Sequence, residues 1–169
     1  MPAAGKDEAE AQGEKSSVIC SGEYETASPE ETFLLGKTIS GSAEPGELLV
    51  LEGELGAGKT LFAKGFAEGL GVDETVVSPT FTLLRVYISG RLPLYHFDLY
   101  RLESEDEFFE IGGEEYFDGK GICLLEWAYR YKDILPEPYT LVRIEKLPDK
   151  GDDARSIVLL LRCTCNFQN

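Results

Sequence analysis

The strongest chemical signal in the chain is Gly53-Glu54-Leu55-Gly56-Ala57-Gly58-Lys59-Thr60. Its spacing, G-x-x-x-x-G-K-T, is that of a loop that wraps phosphate. Glycines 53, 56 and 58 let backbone N–H groups turn inward around an anion. A helix that starts near Lys59 aims its free N–H groups and the positive end of its dipole at the same anion. Lys59 is long enough to reach terminal phosphates, and the Thr60 hydroxyl is a ligand for Mg2+. Residues Glu54 to Thr60 are therefore the candidate cradle of a nucleoside triphosphate held with Mg2+.

Two acids are candidates to complete that chemistry. Glu126 ends the apolar run Gly121-Ile122-Cys123-Leu124-Leu125. An acid there can bind Mg2+, directly or through water, or orient the attacking water; the competing reading is a solvated strand end. Asp98 lies in Tyr95-His96-Phe97-Asp98-Leu99-Tyr100-Arg101. If Phe97 and Leu99 face the core, alternation turns His96, Asp98 and Tyr100 to the other face. Asp98 is then a second candidate for metal or water, against a plain ion pair with Arg101. Phosphoryl transfer to water needs no histidine base, so His96, the only histidine, reads as structural. Thr80, held behind Pro79, is placed either to sense a terminal phosphate or simply to make a turn. Arg85, Arg101 and Arg130 are all candidate arginine fingers, and nothing in the sequence selects one.

The elements that must position these groups can be read around them. Leu48 to Leu51 is an apolar strand, and Leu61, Phe62, Phe66 and Leu70 recur at helical spacing. Strand, glycine loop and helix in that order are the context the phosphate motif requires. Ser28-Pro29-Glu30-Glu31 is a helix start: Ser28 caps, Pro29 takes the first position and Glu31 completes a capping box. Phe33, Leu34, Leu35 and Ile39 are its apolar set. Val18 to Thr26 alternates weakly as a first strand. Phe81 to Ile88 and Leu92 to Leu99, joined at Ser89-Gly90, form an antiparallel hairpin. Ser104 and Glu107 predict a second capping box. Gly121 to Trp127 reads as a parallel strand buried on both faces, and Tyr139 to Leu147 and Arg155 to Cys165 as two closing strands. The fold class is α/β, a P-loop NTPase-like sheet mixed with an antiparallel hairpin, with helices on both faces. Residues 1–17 are expected to be a disordered acidic tail and residues 18–169 a single domain.

The chain has 169 residues, is 43% hydrophobic and carries a formal net charge of −15. That is enough apolar material for one ordinary core, but not the basic face of a nucleic-acid binder. No apolar run approaches a membrane span, and the N-terminus lacks the apolar centre of a secretory signal. Cys20, Cys123, Cys163 and Cys165 are read as reduced thiols of a cytoplasmic protein; with one histidine they make no zinc site. The only asparagines are Asn166 and Asn169, so the N-K-x-D guanine reader is missing, and ATP is the expected nucleotide.

Five blocks in order, Gly53–Thr60, Ser78-Pro-Thr-Phe-Thr-Leu83, Tyr95–Leu102, Glu115-Tyr-Phe-Asp118 and Ile122–Trp127, resemble the TsaE (YjeE) family of small bacterial P-loop ATPases. The resemblance spans about Ser28 to Arg155. Its specificity comes from the Asp98 block and the Glu126-Trp127 pair. Glu54 departs from the family's usual Asp, and Leu61 from a frequent second Thr; residues 1–17 and Cys163-x-Cys165 lie outside the pattern. The resemblance implies a part in making threonylcarbamoyladenosine beside the anticodon of tRNAs that read codons starting with A. It implies ATP and Mg2+ as ligands and TsaD and TsaB as partners, with tRNA met only through them and ATP hydrolysis resetting their complex. By position, Thr60 and Glu126 match the family's magnesium residues and Asp98 an acid needed for activity. Trp127 matches the tryptophan of its motif. Gly151, in Gly-Asp-Asp-Ala-Arg155, aligns with a region near the nucleotide, and Ser28 with the neighbourhood of the base.

The expected activity is Mg2+-dependent ATP hydrolysis with Lys59, Asp98 and Glu126 as catalytic residues, slow alone and faster with partners. Two alternatives stand beside it. A small-molecule kinase would need an arginine-rich lid, where this chain has Glu103, Glu105, Asp106 and Glu107. A non-catalytic nucleotide-dependent adaptor would need only the binding residues.

Overall fold

The computed structural model describes residues 21–162. The tail read over 1–17, the start of the strand read from Val18, and Cys20, Cys163 and Cys165 lie outside them. The elements run β1 (Gly22–Thr26), α1 (Pro29–Ser40), β2 (Leu48–Glu52), α2 (Lys59–Gly69), β3 (Leu84–Tyr87), β4 (Leu94–Asp98), α3 (Glu105–Glu110), β5 (Ile122–Glu126), β6 (Tyr139–Lys146) and β7 (Arg155–Arg162). Short 3-10 turns cover Gly113–Phe117, Ala128–Arg130, Lys132–Ile134 and Pro148–Lys150.

The strands make one seven-stranded sheet in the order β1-β7-β6-β2-β5-β4-β3. Its centre is parallel, with β2 between β5 and β6 and β4 beside β5. β3 is antiparallel to β4 on one edge, and β7 pairs antiparallel with β6 and β1 on the other. The central strands are apolar on both faces because both faces are covered. Leu49, Leu51, Leu124, Val142 and Ile144 face Phe62, Ala63 and Phe66 of α2. Leu48, Val50, Leu125 and Leu141 face a second core with Phe108 of α3 and Tyr131 and Ile134 of the 3-10 turns. The mixed α/β sheet expected from the sequence is the one observed.

Local chemistry differs from expectation at several points. Ser28 Oγ accepts the N–H of Glu31 at 3.2 Å, but the Glu31 carboxylate reaches back to Ala27 N at 2.7 Å and not to Ser28 N. Leu34 is 55% exposed, because α1 turns Thr32, Gly36, Ile39 and Ser40 inward instead. Ser104 precedes α3 without a side-chain capping bond; Glu107 accepts from Glu103 N at 3.2 Å. The first hairpin strand is shorter than read. Thr82 and Leu83 donate to Pro79 O at 3.0 and 2.8 Å, and Leu83 takes φ 63°, so Phe81 to Leu83 is a turn.

The helix that carries the phosphate loop is seated by glycine. A Cβ on Gly65 of α2 would lie 1.9 Å from Phe33 O, and one on Gly36 of α1 would lie 2.3 Å from Phe62 O. Backbones this close admit no side chain, and backbone cannot step aside as a flexible side chain does. Gly65→Ala is expected to destabilise the fold by about 3 kcal/mol or more. Urea unfolding measures this; an unchanged midpoint would show that α1 and α2 do not depend on the contact.

Candidate functional site

β2, β4 and β5 run parallel, so Glu52, Asp98 and Glu126 end on the same edge of the sheet, the edge where such sheets bind ligands. The loop after β2 crosses that edge and enters α2. Gly56 and Gly58 hold φ of 75° and 115°, a region open mainly to glycine, and Gly58 caps α2 without a side-chain bond. The first turn of α2 thus has no side-chain cap, the kind of helix start that suits an anion.

An open pocket of about 520 Å3 lies over this loop, a size suited to a nucleotide. Gly56, Gly58, Lys59 and Thr60 form one wall. Thr80, Asp98, Glu126 and Trp127 form another. Leu55 also lines it, whereas Glu54 and the buried Ala57 line a neighbouring pocket that Leu55 and Trp127 share. Lys59, Asp98 and Glu126 are 6%, 3% and 3% exposed. Glu126 is thus no solvated strand end, and Asp98 is not paired with Arg101, whose guanidinium lies over the Phe81 ring.

The two acids are held differently. Asp98 Oδ2 accepts from Thr80 Oγ1 at 2.7 Å and Ser78 Oγ at 3.2 Å, and Oδ1 accepts from Tyr100 N at 2.9 Å. Asp98 therefore fastens the Ser78–Thr80 segment to the end of β4. Glu126 bonds His96 Nε2 through Oε1 at 2.9 Å. Lys59 Nζ donates to Gly53 O at 2.7 Å and Glu54 O at 2.9 Å, and sits 4.5 Å from the centroid of the Trp127 ring. Burial lowers its pKa from the ordinary lysine value, opposed by the charges of Glu126 and Asp98. Trp127 itself takes φ 64°, which turns the chain sharply after β5 and lays the indole beside the loop, 5.0 Å from the Tyr100 ring.

Gly151 and Ser28 do not line this pocket. Ser28 is committed to its helix cap. Gly151, at φ 124°, lies on the turn between β6 and β7 with nothing within 4 Å of a Cβ position. That turn nevertheless reaches the loop through Arg155, whose Nε donates to Ala57 O at 2.7 Å while an Nη donates to Asp152 O and Ala154 O at 2.7 and 2.8 Å. Arg85, Arg101 and Arg130 are all absent from the pocket lining; Arg130 bonds Tyr100 O at 3.1 Å. Sequence reasoning missed the bonds of Ser78 to Asp98, Arg155 to the loop and His96 to Glu126. Ser78 had a signal in Ser-Pro-Thr and His96 in the alternation along β4; Arg155 is joined to the site only by folding.

A phosphate loop on the central strand of a mixed α/β sheet, with two acids at neighbouring strand ends, defines the P-loop class of nucleotide-binding folds. Within that class, a family model described as threonylcarbamoyl adenosine biosynthesis protein TsaE matches residues 26–157. The tRNA threonylcarbamoyladenosine biosynthesis protein TsaE of Bacillus subtilis (strain 168) is 49% identical over 134 residues, 79% of this chain and 82% of that one. The protein of the same name from Treponema pallidum (strain Nichols) is 47% identical over 122 residues, 72% and 90% of the two chains. The crystal structure of Bacillus subtilis YdiB has a TM-score of 0.69 and 42% identity, covering 85% of this chain and 87% of that one. The chain belongs to the TsaE family, as its motif blocks indicated, and with it to tRNA threonylcarbamoyladenosine biosynthesis. Among the described residues no helix is long and apolar enough to cross a membrane.

Lys59→Met removes a charge whose burial is unfavourable. The variant, without nucleotide, is expected to melt at or above the wild-type temperature while ATP affinity falls about 10- to 100-fold. Calorimetry with and without ATP reads both; unchanged affinity would remove Lys59 from the phosphate site.

Proposed function

We propose that the protein is the Mg2+-dependent ATPase of threonylcarbamoyladenosine synthesis, acting on the TsaD–TsaB pair and meeting tRNA only through it. The observation that carries this reading is the convergence of Lys59, Thr60, Asp98 and Glu126 on one pocket. The loop N–H groups and Lys59 bind the phosphates. Thr60 and Glu126 are the magnesium residues, and the set fits: a hydroxyl and a carboxylate are hard oxygen donors. Among the described residues no three of His, Cys, Asp and Glu converge as a metal site, so phosphate oxygens and water must supply the rest of the shell, as is usual for Mg2+. When bound, Mg2+ neutralises charge developing on the phosphates.

Glu126 is the better first ligand of the two acids, because the protein already occupies both oxygens of Asp98. Asp98 instead couples the Ser78–Thr80 segment to the pocket, where Thr80 can respond to a terminal phosphate. The acidic stretch that argues against a kinase lid leads into α3 and packs through Phe108 on the opposite face of the sheet. With no arginine lining the pocket, turnover alone should be slow and partner-stimulated.

ATP turnover of the protein, measured with and without TsaD–TsaB and tRNA, tests the proposal. Free phosphate should accumulate slowly alone and at least about tenfold faster with partners. Glu126→Ala should keep ATP binding and lose about a hundredfold in turnover. If Glu126→Ala supports tRNA modification as well as wild type does, hydrolysis is irrelevant and the protein is an adaptor. A phosphorylated small molecule as product would make it a kinase.

A further inference from the structure

The remaining unexplained group in the interior is His96. It is fully buried on β4, on the sheet face that α1 and α2 cover. Its Nε2 lies 2.9 Å from Glu126 Oε1, with the two side chains 1% and 4% exposed. Its other ring nitrogen, Nδ1, is the single buried side-chain nitrogen or oxygen without a hydrogen-bond partner among the described residues. An orphaned polar atom in a packed interior costs stability that an apolar side chain of similar size would not. Packing therefore does not explain this residue.

Its position does. Asp98 pairs with Glu126, and His96 with Leu124, across parallel β4 and β5. On one face, His96 thus sits one step below the two acids. A carboxylate only accepts hydrogen bonds, so Nε2 must carry the proton. The opposite tautomer would bury an unpaired N–H and set one lone pair against another. With Nε2–H as donor, only a lone pair on Nδ1 is left over, and Oε1 is tied to a rigid strand. Glu126 also lines the pocket, and its second oxygen, Oε2, has no hydrogen bond to the described residues. Without the imidazole, the Glu126 carboxylate would be free to swing toward the Lys59 ammonium.

We propose that His96 is a positioning residue: its Nε2–H holds Oε1 of Glu126 so that Oε2 is the oxygen presented to magnesium or water. This rests on the ATPase reading above. His96 does not exchange protons with substrate and does not touch it. The role is that of the outer partner that orients a metal-binding carboxylate, whose loss typically lowers metal affinity or activity about 10- to 100-fold.

The chain has one histidine, so full-length protein labelled with 15N-histidine gives a single imidazole signal. It should show the Nε2–H tautomer, and Glu126→Ala should shift it. ADP binding is then measured calorimetrically with and without Mg2+ for wild type, His96→Leu and His96→Gln, alongside ATP turnover with TsaD–TsaB. Leu fills the volume without a donor; Gln offers an amide N–H near the Nε2 position. His96→Leu should lose about tenfold or more in Mg2+-dependent affinity and turnover, with Mg2+-free ADP binding within about twofold of wild type. His96→Gln should recover most of that loss, which a purely structural role would not produce. An Nδ1–H tautomer, equal impairment of the two variants, or a His96→Leu protein with wild-type Mg2+ dependence overturns the proposal while leaving the ATPase reading in place. A wild type that neither binds nor hydrolyses ATP overturns that reading, and this one falls with it.

Discussion

The register of β4 against β5 sets Asp98 opposite Glu126, and Leu51 of β2 pairs with the same glutamate from the other side. Three chain segments far apart in sequence therefore end together beside the phosphate loop. Side chains alternate along a strand, so a one-residue slip of β4 would turn Asp98 to the opposite face and away from Glu126. The buried pairs Phe97–Leu125 and His96–Leu124 hold the register against such a slip. Apolar packing on two faces thus decides where two charges stand.

Charges at buried strand ends are tolerable only when committed to partners. Asp98 is committed to three donors, two of them hydroxyls of the loop that follows α2. Glu126 has the imidazole and the nearby Lys59. Lys59 in turn rests on loop carbonyls and the Trp127 face. The loop is braced from outside as well. Arg155 binds the Ala57 carbonyl and so ties the loop to the β6–β7 turn. The carbonyls of Gly53, Glu54 and Ala57 are thus all engaged within the protein.

Much of this was legible before folding. The glycine spacing, Lys59 and Thr60 are readable as a phosphate motif because they lie together on one loop and the first turn of one helix. The β5 strand reads as buried because Ile122 to Leu125 are apolar on both faces. Alternation along β4 placed Asp98 toward the site, and the structure agrees. Harder to read were features in which neighbouring groups could take each other's partners or tertiary packing turned an element. Ser104 looked like a cap, but Glu107 satisfies a neighbouring N–H instead. Leu34 looked like core, but glycine contacts between α1 and α2 rotate the helix so that it faces solvent.

By itself, then, the sequence determined the motif set: a glycine loop of P-loop spacing, two acids ending buried runs, no N-K-x-D, and the family that shares those blocks. These follow from residue types at short spacing, where chain geometry leaves little choice. Only the tertiary structure decided which partners hold each acid. Packing delivers Ser78 and Thr80 to Asp98, and His96 to Glu126. Such donors arrive from segments 18 to 30 residues away, and sequence spacing does not say which carboxylate each one meets.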